Sequence, residues 1–132
     1  RVLFRSGRKR TYHTIIPGFL TKENRAIGPF GVMGGFMQPQ GHLQILTSMI
    51  DFDRNPQEAL DAPRWQWKGG MKFEMEPGFS DEIIEDLRKR GHEISINDDL
   101  QAFGRGEIIC RNEKGVLAGA TEPRGDGTAA AW

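Results

Sequence analysis

The most constraining feature of the sequence is a glycine pair, Gly34 and Gly35. The pair follows an apolar stretch typical of a strand and precedes Gln-Pro-Gln-Gly at 38–41, which we expect to form a corner before a helix over 41–51. Glycine accepts backbone angles that other residues resist, and it lets a ligand approach the main chain closely. Two adjacent N–H groups between a strand and a helix can form a nest for an anionic oxygen. A tight turn without a ligand explains the pair equally well.

The composition excludes several classes of function. The chain has 132 residues, enough for one domain or part of a larger one, and its hydrophobic fraction is 37%. Eighteen basic and eighteen acidic residues balance to zero net charge, which gives no general argument for nucleic acid or an anionic membrane. One cysteine cannot form an internal disulfide, and the three histidines lack the spacing of metal ligands. Since no apolar run of about 18 residues occurs, we expect no membrane span, and no signal peptide is recognisable.

The patterning predicts an α+β domain over residues 11–132, preceded by a basic, mobile arm at 1–10. Helix starts are indicated by the capping residues Asn55 and Ser80, and the matching helix ends by Pro63 and Gly91. Strands are predicted at 12–20, 26–33, 71–75, 93–96, 107–111 and 116–120. This order of elements predicts a layered α+β domain with mostly antiparallel pairing.

Few side chains are obvious carriers of chemistry. Cys110 lies within a predicted strand, where a buried thiol is a better interpretation than a nucleophile. The serine and threonine hydroxyls lie in no motif that activates them. His13 and Thr14 could polarise a carbonyl or hold a substrate carboxylate, or they could form hydrogen bonds on a strand surface. Residues alone therefore indicate an oxygen-binding turn without a convincing nucleophile.

The remaining polar candidates have structural alternatives. His42 opens an apolar helix and is better interpreted as a core histidine than as a catalytic one, and we expect His92 to be solvated. Arg64 could bind a carboxylate ligand through two parallel hydrogen bonds, but pairing with a neighbouring acid is the default. The helix at 41–51 is apolar around more than one face, so we expect it to be buried between layers. Glutamines near this helix must then find hydrogen-bond partners, namely Gln38, Gln40 and Gln44.

Four segments together resemble the carboxyl-terminal part of the small subunit of the gamma-glutamyltransferase (gamma-glutamyltranspeptidase) family. They are Gly34-Gly35 with Met-Gln-Pro-Gln-Gly-His at 37–42, Asp51-Phe52, Asn-Pro-Gln-Glu-Ala-Leu-Asp-Ala-Pro-Arg-Trp at 55–65, and Gly-Ala-Thr-Glu-Pro-Arg at 119–124. The resemblance runs from about Lys9 to Trp132, and the 55–65 motif is specific. The 37–42 variant is closer to the gamma-glutamyltransferase-like and cephalosporin-acylase-like branch than to the best-known glutathione enzymes.

The resemblance implies an amino-terminal-nucleophile hydrolase, built as a four-layer αββα sandwich. Such a precursor cuts itself before a threonine, which then heads the small subunit and attacks the amide of a gamma-glutamyl donor. Its free α-amino group serves as the base for the adjacent hydroxyl, and backbone N–H groups stabilise the tetrahedral oxyanion. Water or an acceptor amine then takes the acyl group. No metal or organic cofactor is implied.

Carried over by position, Gly34 and Gly35 correspond to the oxyanion-hole glycines of the family. His13 and Thr14 fall where many relatives place two serines that hold the donor's carboxylate. An imidazole changes both charge and size at this position, so the departure bears on specificity for glutathione.

This chain begins at Arg1 and contains no threonine at its head, so we expect the nucleophile on another segment and the chain alone to be inactive. The expected partner is the remainder of the same precursor, comprising the large subunit and the amino-terminal part of the small subunit. Two alternatives stay open: a cephalosporin or glutaryl acylase of the same fold, and a non-catalytic α+β module.

Overall fold

The computed structural model describes Arg8, Arg10 and residues 12–131, so the predicted basic arm lies outside the described residues except at Arg8 and Arg10. In chain order the strands are β1 (Gly18–Lys22), β2 (Arg25–Met33), β3 (Trp65–Gly69), β4 (Lys72–Met75), β5 (Glu93–Ile96), β6 (Arg105–Arg111) and β7 (Leu117–Thr121). The α-helices are α1 (Met37–Ile50), α2 (Pro56–Asp61) and α3 (Asp81–Lys89), and a short 3-10 helix covers Leu100–Phe103.

The strands form two sheets. One is antiparallel throughout, in the order β1-β2-β6-β7. The other has the order β3-β4-β5; β3 and β4 form a hairpin, whereas β4 and β5 are parallel because α3 crosses between them. The predicted α+β class with mostly antiparallel pairing is therefore confirmed.

The two predicted capping signals start helices where expected. The Asn55 side chain accepts a hydrogen bond from the Glu58 N–H at 3.0 Å, and the Glu58 carboxylate accepts one from the Asn55 N–H at 2.9 Å, which completes a capping box for α2. Ser80 Oγ accepts a hydrogen bond from the Ile83 N–H at 3.3 Å at the start of α3. In each helix, a short polar side chain satisfies a backbone donor that has no intrahelical partner.

The prediction of a corner at 38–41 is wrong, because α1 already begins at Met37. Pro39 is the third residue of this helix, where the backbone N–H has no intrahelical acceptor and its loss costs no hydrogen bond. The predicted strand at 12–20 is also shorter than expected, since β1 begins only at Gly18. Strand β3 was not predicted, although the alternation at Trp65-Gln66-Trp67 before Gly69-Gly70 is a hairpin signal.

The core lies between one face of the four-stranded sheet and helices α1 and α2. It is formed by the buried residues Val32, Ile45, Leu60, Ile108 and Ala120. The strand register places alternate residues on the opposite face, where apolar side chains are exposed by 45–67%: Phe19, Met33, Ile109 and Leu117. We call this surface the far face. Helix α1 is also open on its outer side, where Leu43 is 58% and Ile50 65% exposed, so its predicted burial on more than one face is not observed.

We expect Gly41→Ala to destabilise the complete protein, although alanine normally favours a helix by about 1 kcal/mol over glycine. A Cβ at Gly41 would lie 2.7 Å from Val32 Cγ1 and 3.0 Å from Val32 Cβ, so α1 would be pushed away from β2. Urea unfolding of the single variant and of Gly41→Ala/Val32→Ala tests this, since the double variant should recover part of the loss. A more stable Gly41→Ala protein would contradict the close packing.

Candidate active site

The Gly34-Gly35 turn joins β2 to α1 and places two backbone N–H groups next to each other. Gly34 has φ +139° and Gly35 φ +59°, both in the region that favours glycine. Their carbonyls accept hydrogen bonds from the N–H groups of Met37 and Gln38 at 3.0 and 3.1 Å, which starts the helix. Within the described residues, the N–H groups of Gly34 and Gly35 form no hydrogen bond. A Cβ at Gly35 would meet nothing within 4 Å, so this residue borders open space.

A cavity of about 700 Å³ lies beside this turn. Its lining includes Thr14, Gly35, Gln38, Arg105, Glu107 and Asp126. The structure therefore brings together two of the predicted site residues, Thr14 and Gly35. His13 is exposed and Gly34 packs against Gly104, and neither lines the cavity.

Gln38 connects the segment around Thr14 to the helix that follows the glycine turn. Its Nε2 donates to the Thr14 carbonyl at 2.8 Å, and its Oε1 accepts from the Ile16 N–H at 3.1 Å. The Gln38 side chain thereby supplies residues 14–16 with the kind of backbone hydrogen bonds that a neighbouring strand would form. The glutamine is 9% exposed, which makes these two hydrogen bonds the partners that its buried amide requires.

The prediction that glutamines near α1 must find hydrogen-bond partners is also confirmed for Gln40 and Gln44, which bind the edge of β3. Gln44 donates to the Trp65 carbonyl at 2.8 Å and accepts from the Trp65 N–H at 3.0 Å. Gln40 Oε1 accepts from the Trp67 N–H at 2.7 Å. Amide side chains therefore connect helix α1 to residues 14–16 on one side and to the edge of β3 on the other.

A buried network of four charged side chains lies next to the cavity: Arg64, Glu76, Glu122 and Arg124. Each of these side chains is exposed by 5% or less. Arg64 Nη2 donates to Glu122 Oε2 at 2.7 Å, and Arg124 Nη1 donates to Glu122 Oε1 at 2.6 Å. Arg124 also pairs with Glu76. Pairing with an acid, the default interpretation of Arg64, is therefore confirmed.

The electrostatics of the network favour the charged forms of Glu122 and Arg124, whereas burial lowers the pKa of Arg64 despite its pairing with Glu122. Burial alone would raise the pKa of Glu122, but the Arg124 hydrogen bond, the charge of Arg64 and the Gly106 N–H together lower it below its ordinary value. Burial would likewise lower the pKa of Arg124, whereas its hydrogen bonds to Glu76 and Glu122 raise it. Sequence reasoning missed Glu76, and it used Glu122 and Arg124 only as part of a motif.

The other candidate side chains lack the properties of a nucleophile or a base. Burial raises the pKa of the half-buried Cys110 thiol, which opposes thiolate formation. Burial lowers the pKa of His42, whose ring lies edge-on to Phe30 with centroids 5.2 Å apart. The prediction that His92 is solvated is wrong, because its ring is half-buried against Phe73 at 5.2 Å. Among the described residues, no group of three His, Cys, Asp or Glu side chains could hold a metal.

Comparison with known proteins identifies the family. The sequence model described as Gamma-glutamyltranspeptidase matches residues 4–132. The chain belongs to this family. No helix among the described residues is long and apolar enough to span a membrane.

Individual relatives are longer than this chain. It is 37% identical over 128 residues to the glutathione hydrolase-like YwrD proenzyme of Bacillus subtilis, covering 92% of the chain and 24% of the relative. It is 32% identical over 130 residues to the oxamate amidohydrolase proenzyme of Klebsiella pneumoniae, covering 94% of the chain and 25% of the relative. The chain thus spans about a quarter of these curated relatives.

Solved structures carry the same fold. A cephalosporin acylase from Bacillus halodurans superposes with a TM-score of 0.89 at 63% identity, over 93% of this chain and 23% of that one. A variant of Helicobacter pylori gamma-glutamyltranspeptidase gives 0.78 at 26% identity, over 91% and 66%. The chain is therefore part of an amino-terminal-nucleophile hydrolase fold, as the resemblance implied.

We expect Glu122→Gln to destabilise the complete protein and to reduce the change in its free energy of unfolding between neutral and acidic pH. Because the pKa of Glu122 is lowered by folding, its charged form stabilises the fold above the unfolded-state pKa of about 4.3, and this contribution is lost as pH falls through the folded-state pKa. Removing one partner of a buried pair costs about 3–5 kcal/mol at neutral pH.

Urea unfolding between pH 7 and pH 3 measures both effects. The matched control is Glu85→Gln, which removes an exposed carboxylate paired with Arg88 and should cost below about 1 kcal/mol. Equal acid dependence in the wild-type and Glu122→Gln proteins would show that Glu122 makes no such contribution.

Proposed function

We propose that this chain is the carboxyl-terminal portion of a gamma-glutamyltransferase-like acylase and that Gly34 and Gly35 form its oxyanion hole. The proposed nucleophile is a threonine on a part of the protein outside these residues. The observation that carries the proposal is a pair of N–H groups that form no hydrogen bond with the part of the chain the structure describes, at a turn whose Gly35 lines a cavity, in a chain that belongs to the gamma-glutamyltranspeptidase family.

In the proposed mechanism, the threonine hydroxyl attacks the amide carbonyl of the donor, and the free α-amino group of the same threonine takes the hydroxyl proton. The carbonyl oxygen gains negative charge in the tetrahedral intermediate, where the N–H groups of Gly34 and Gly35 donate to it. Collapse of the intermediate returns the proton to the leaving amine and leaves an acyl-enzyme. Water or an acceptor amine then attacks the ester.

The backbone of the turn supports this assignment. The carbonyls of Gly34 and Gly35 already bind the first N–H groups of α1, so the turn is held while its own N–H groups bond to none of the residues described. Helix α1 also directs its positive end toward the turn, which favours an anion there. Donors fixed before the reaction need no reorganisation when charge develops, and such fixed donors are the main requirement of an oxyanion hole.

We assign Thr14 and His13 to the carboxylate of the acyl group. Thr14 lines the same cavity as Gly35, and Gln38 holds its backbone. His13 precedes it on the same exposed segment. A hydroxyl and an imidazole can both donate hydrogen bonds to a carboxylate.

Two acyl groups fit such a site. A gamma-glutamyl group carries an α-amino group next to its carboxylate, whereas a glutaryl group has the same carboxylate without the amine. The 63% identity to a cephalosporin acylase supports the second, and the similarity to a glutathione hydrolase-like protein supports the first. We take gamma-glutamyl amides as the primary substrates and glutaryl amides as the second candidate.

The partner that we propose is the remainder of the same precursor. The far face of the four-stranded sheet exposes the apolar side chains Phe19, Met33, Ile109 and Leu117, and by register it also carries Arg105 and Glu107. Such a surface is costly in water and is typical of a protein contact. A second sheet packed on the far face would complete an αββα sandwich. The chain alone would then be inactive. If the complete protein hydrolyses neither gamma-glutamyl nor glutaryl amides, the alternative of a non-catalytic module holds.

We expect Gly35→Ala in the complete enzyme to reduce kcat by roughly 10²–10³-fold with little change in KM, because losing one oxyanion donor has an effect of this size. Alanine is disfavoured at the Gly35 φ of +59° and would rotate the N–H away. Gly70→Ala is the matched control, since Gly70 has φ +55° and also meets nothing within 4 Å. Equal losses of kcat in the two variants would refute the assignment.

Three chromogenic anilides test the acyl site. The complete protein should hydrolyse the gamma-glutamyl or glutaryl anilide and be poor on the butyryl anilide, which lacks the carboxylate. The ratio of kcat/KM for the first two separates the two acylase candidates.

In the same assay, Thr14→Val and His13→Ala should each raise KM for the two carboxylate-bearing anilides by roughly 10-fold, the worth of one hydrogen bond to a charged group. The butyryl anilide is the internal control and should be unaffected. An unchanged KM for gamma-glutamyl and glutaryl anilides would remove these two residues from the site.

A further inference from the structure

The buried charge network reaches the glycine turn through a short backbone segment, residues 103–106. Arg64 Nη1 donates to the carbonyls of Phe103 and Gly104, both at 3.2 Å. Glu122 Oε2, which accepts from Arg64, also accepts from the Gly106 N–H at 2.6 Å. The Arg64–Glu122 ion pair therefore binds three backbone groups of residues 103–106. In the described part of the chain, the other two side chains of the network form no hydrogen bond with this segment.

The fixed segment packs directly against the Gly34 turn. A Cβ placed on Gly34 would lie 3.1 Å from Gly104 Cα, and a Cβ placed on Gly104 would lie 2.4 Å from the Met33 carbonyl oxygen. Met33 and Arg105 are also paired in the β2–β6 register. The end of β2 thus rests on residues whose position is set by Arg64 and Glu122.

We infer that Arg64, held by its ion pair with Glu122, is a positioning residue for the reaction and acts on the Gly34-Gly35 donors through Gly104. This inference rests on the proposed function. Arg64 is 1% exposed and does not line the 700 Å³ cavity, so it does not touch substrate there. Arg64 instead affects the direction in which the N–H groups of Gly34 and Gly35 point. A displacement of about 1 Å can change a reaction rate by roughly 100-fold.

The geometry also separates Arg64 from Arg124 within the same network. Arg124 donates to the carbonyls of Leu60 and Ala62, at 2.8 and 3.0 Å, and to Glu76. It makes no hydrogen bond to residues 103–106 among the described contacts. Both arginines are buried and ion-paired, but Arg64 alone of the two binds the segment behind Gly34.

The test compares Arg64→Lys with Arg124→Lys in the complete, mature enzyme. Each change keeps the positive charge and removes the planar set of donors. For Arg64→Lys we expect kcat to fall roughly 10- to 100-fold with KM within about 2-fold. We expect a boronic acid that forms a tetrahedral adduct with the nucleophile to bind more weakly by the same factor. Arg124→Lys should lower the melting temperature similarly with a much smaller loss of kcat.

Gly104→Ala is the second variant, because it removes no member of the ion pairs and presses on Val32 and Met33 at the end of β2 and on Met37 at the start of α1. It should reproduce the loss of kcat and of boronate affinity. Equal kcat losses for Arg64→Lys and Arg124→Lys would overturn the inference, as would failure of both Arg64→Lys and Gly104→Ala to yield mature enzyme, since the network would then act in folding alone. A wild-type enzyme inactive on every anilide would instead remove the proposed function, and the inference with it.

Discussion

The buried ion pair between Arg64 and Glu122 is the interaction on which the rest of the structure depends. Arg64 follows α2, Glu122 follows β7, and Glu76 follows β4, so the network joins elements of both sheets. Charges taken out of water are costly unless every donor and acceptor is satisfied. Here the carbonyls of Leu60 in α2 and of Gly104 accept hydrogen bonds from the arginines, while Arg64 Nε is buried without a partner among the described residues. The network is therefore a joint between loops, whose backbone groups would otherwise be buried without partners.

A second connection, between α1 and β3, is made by amide side chains instead of charged ones. Gln40 and Gln44 lie one helical turn apart on α1, which advances about 6 Å, and they bind residues two apart on β3, which advances by about 6.6 Å. This match lets one helix face occupy the edge of the three-stranded sheet in the role of a neighbouring strand. An open strand edge invites pairing with other chains, and α1 protects this one. The same helix starts at the glycine turn, so both sheets are fixed relative to it.

Local signals predicted the parts of this fold that local chemistry determines. The caps at Asn55 and Ser80 and the need of Gln38 for partners were predictable because the relevant groups lie within one segment or follow from burial alone. The start of α1 was not, because Pro39 is compatible with a corner and with a first helical turn. The Arg64–Glu122 pair joins residues 58 positions apart, and no spacing rule connects them. Of the candidate site, the sequence indicates the glycine turn, whereas its support by Gly104 depends on tertiary packing.

The two faces of the four-stranded sheet differ in a way that bears on catalysis. The face toward α1 and α2 is closed, with Val32 and Ile108 almost fully buried, and it contains the supports of the glycine turn. The far face exposes apolar side chains beside Arg105 and Glu107, and Glu107 and Thr14 line the cavity at its end. An oxyanion hole has to be rigid before substrate arrives. Packing against Gly104 supports the Gly34-Gly35 turn from one side, while Gly35 stays open to the cavity on the other.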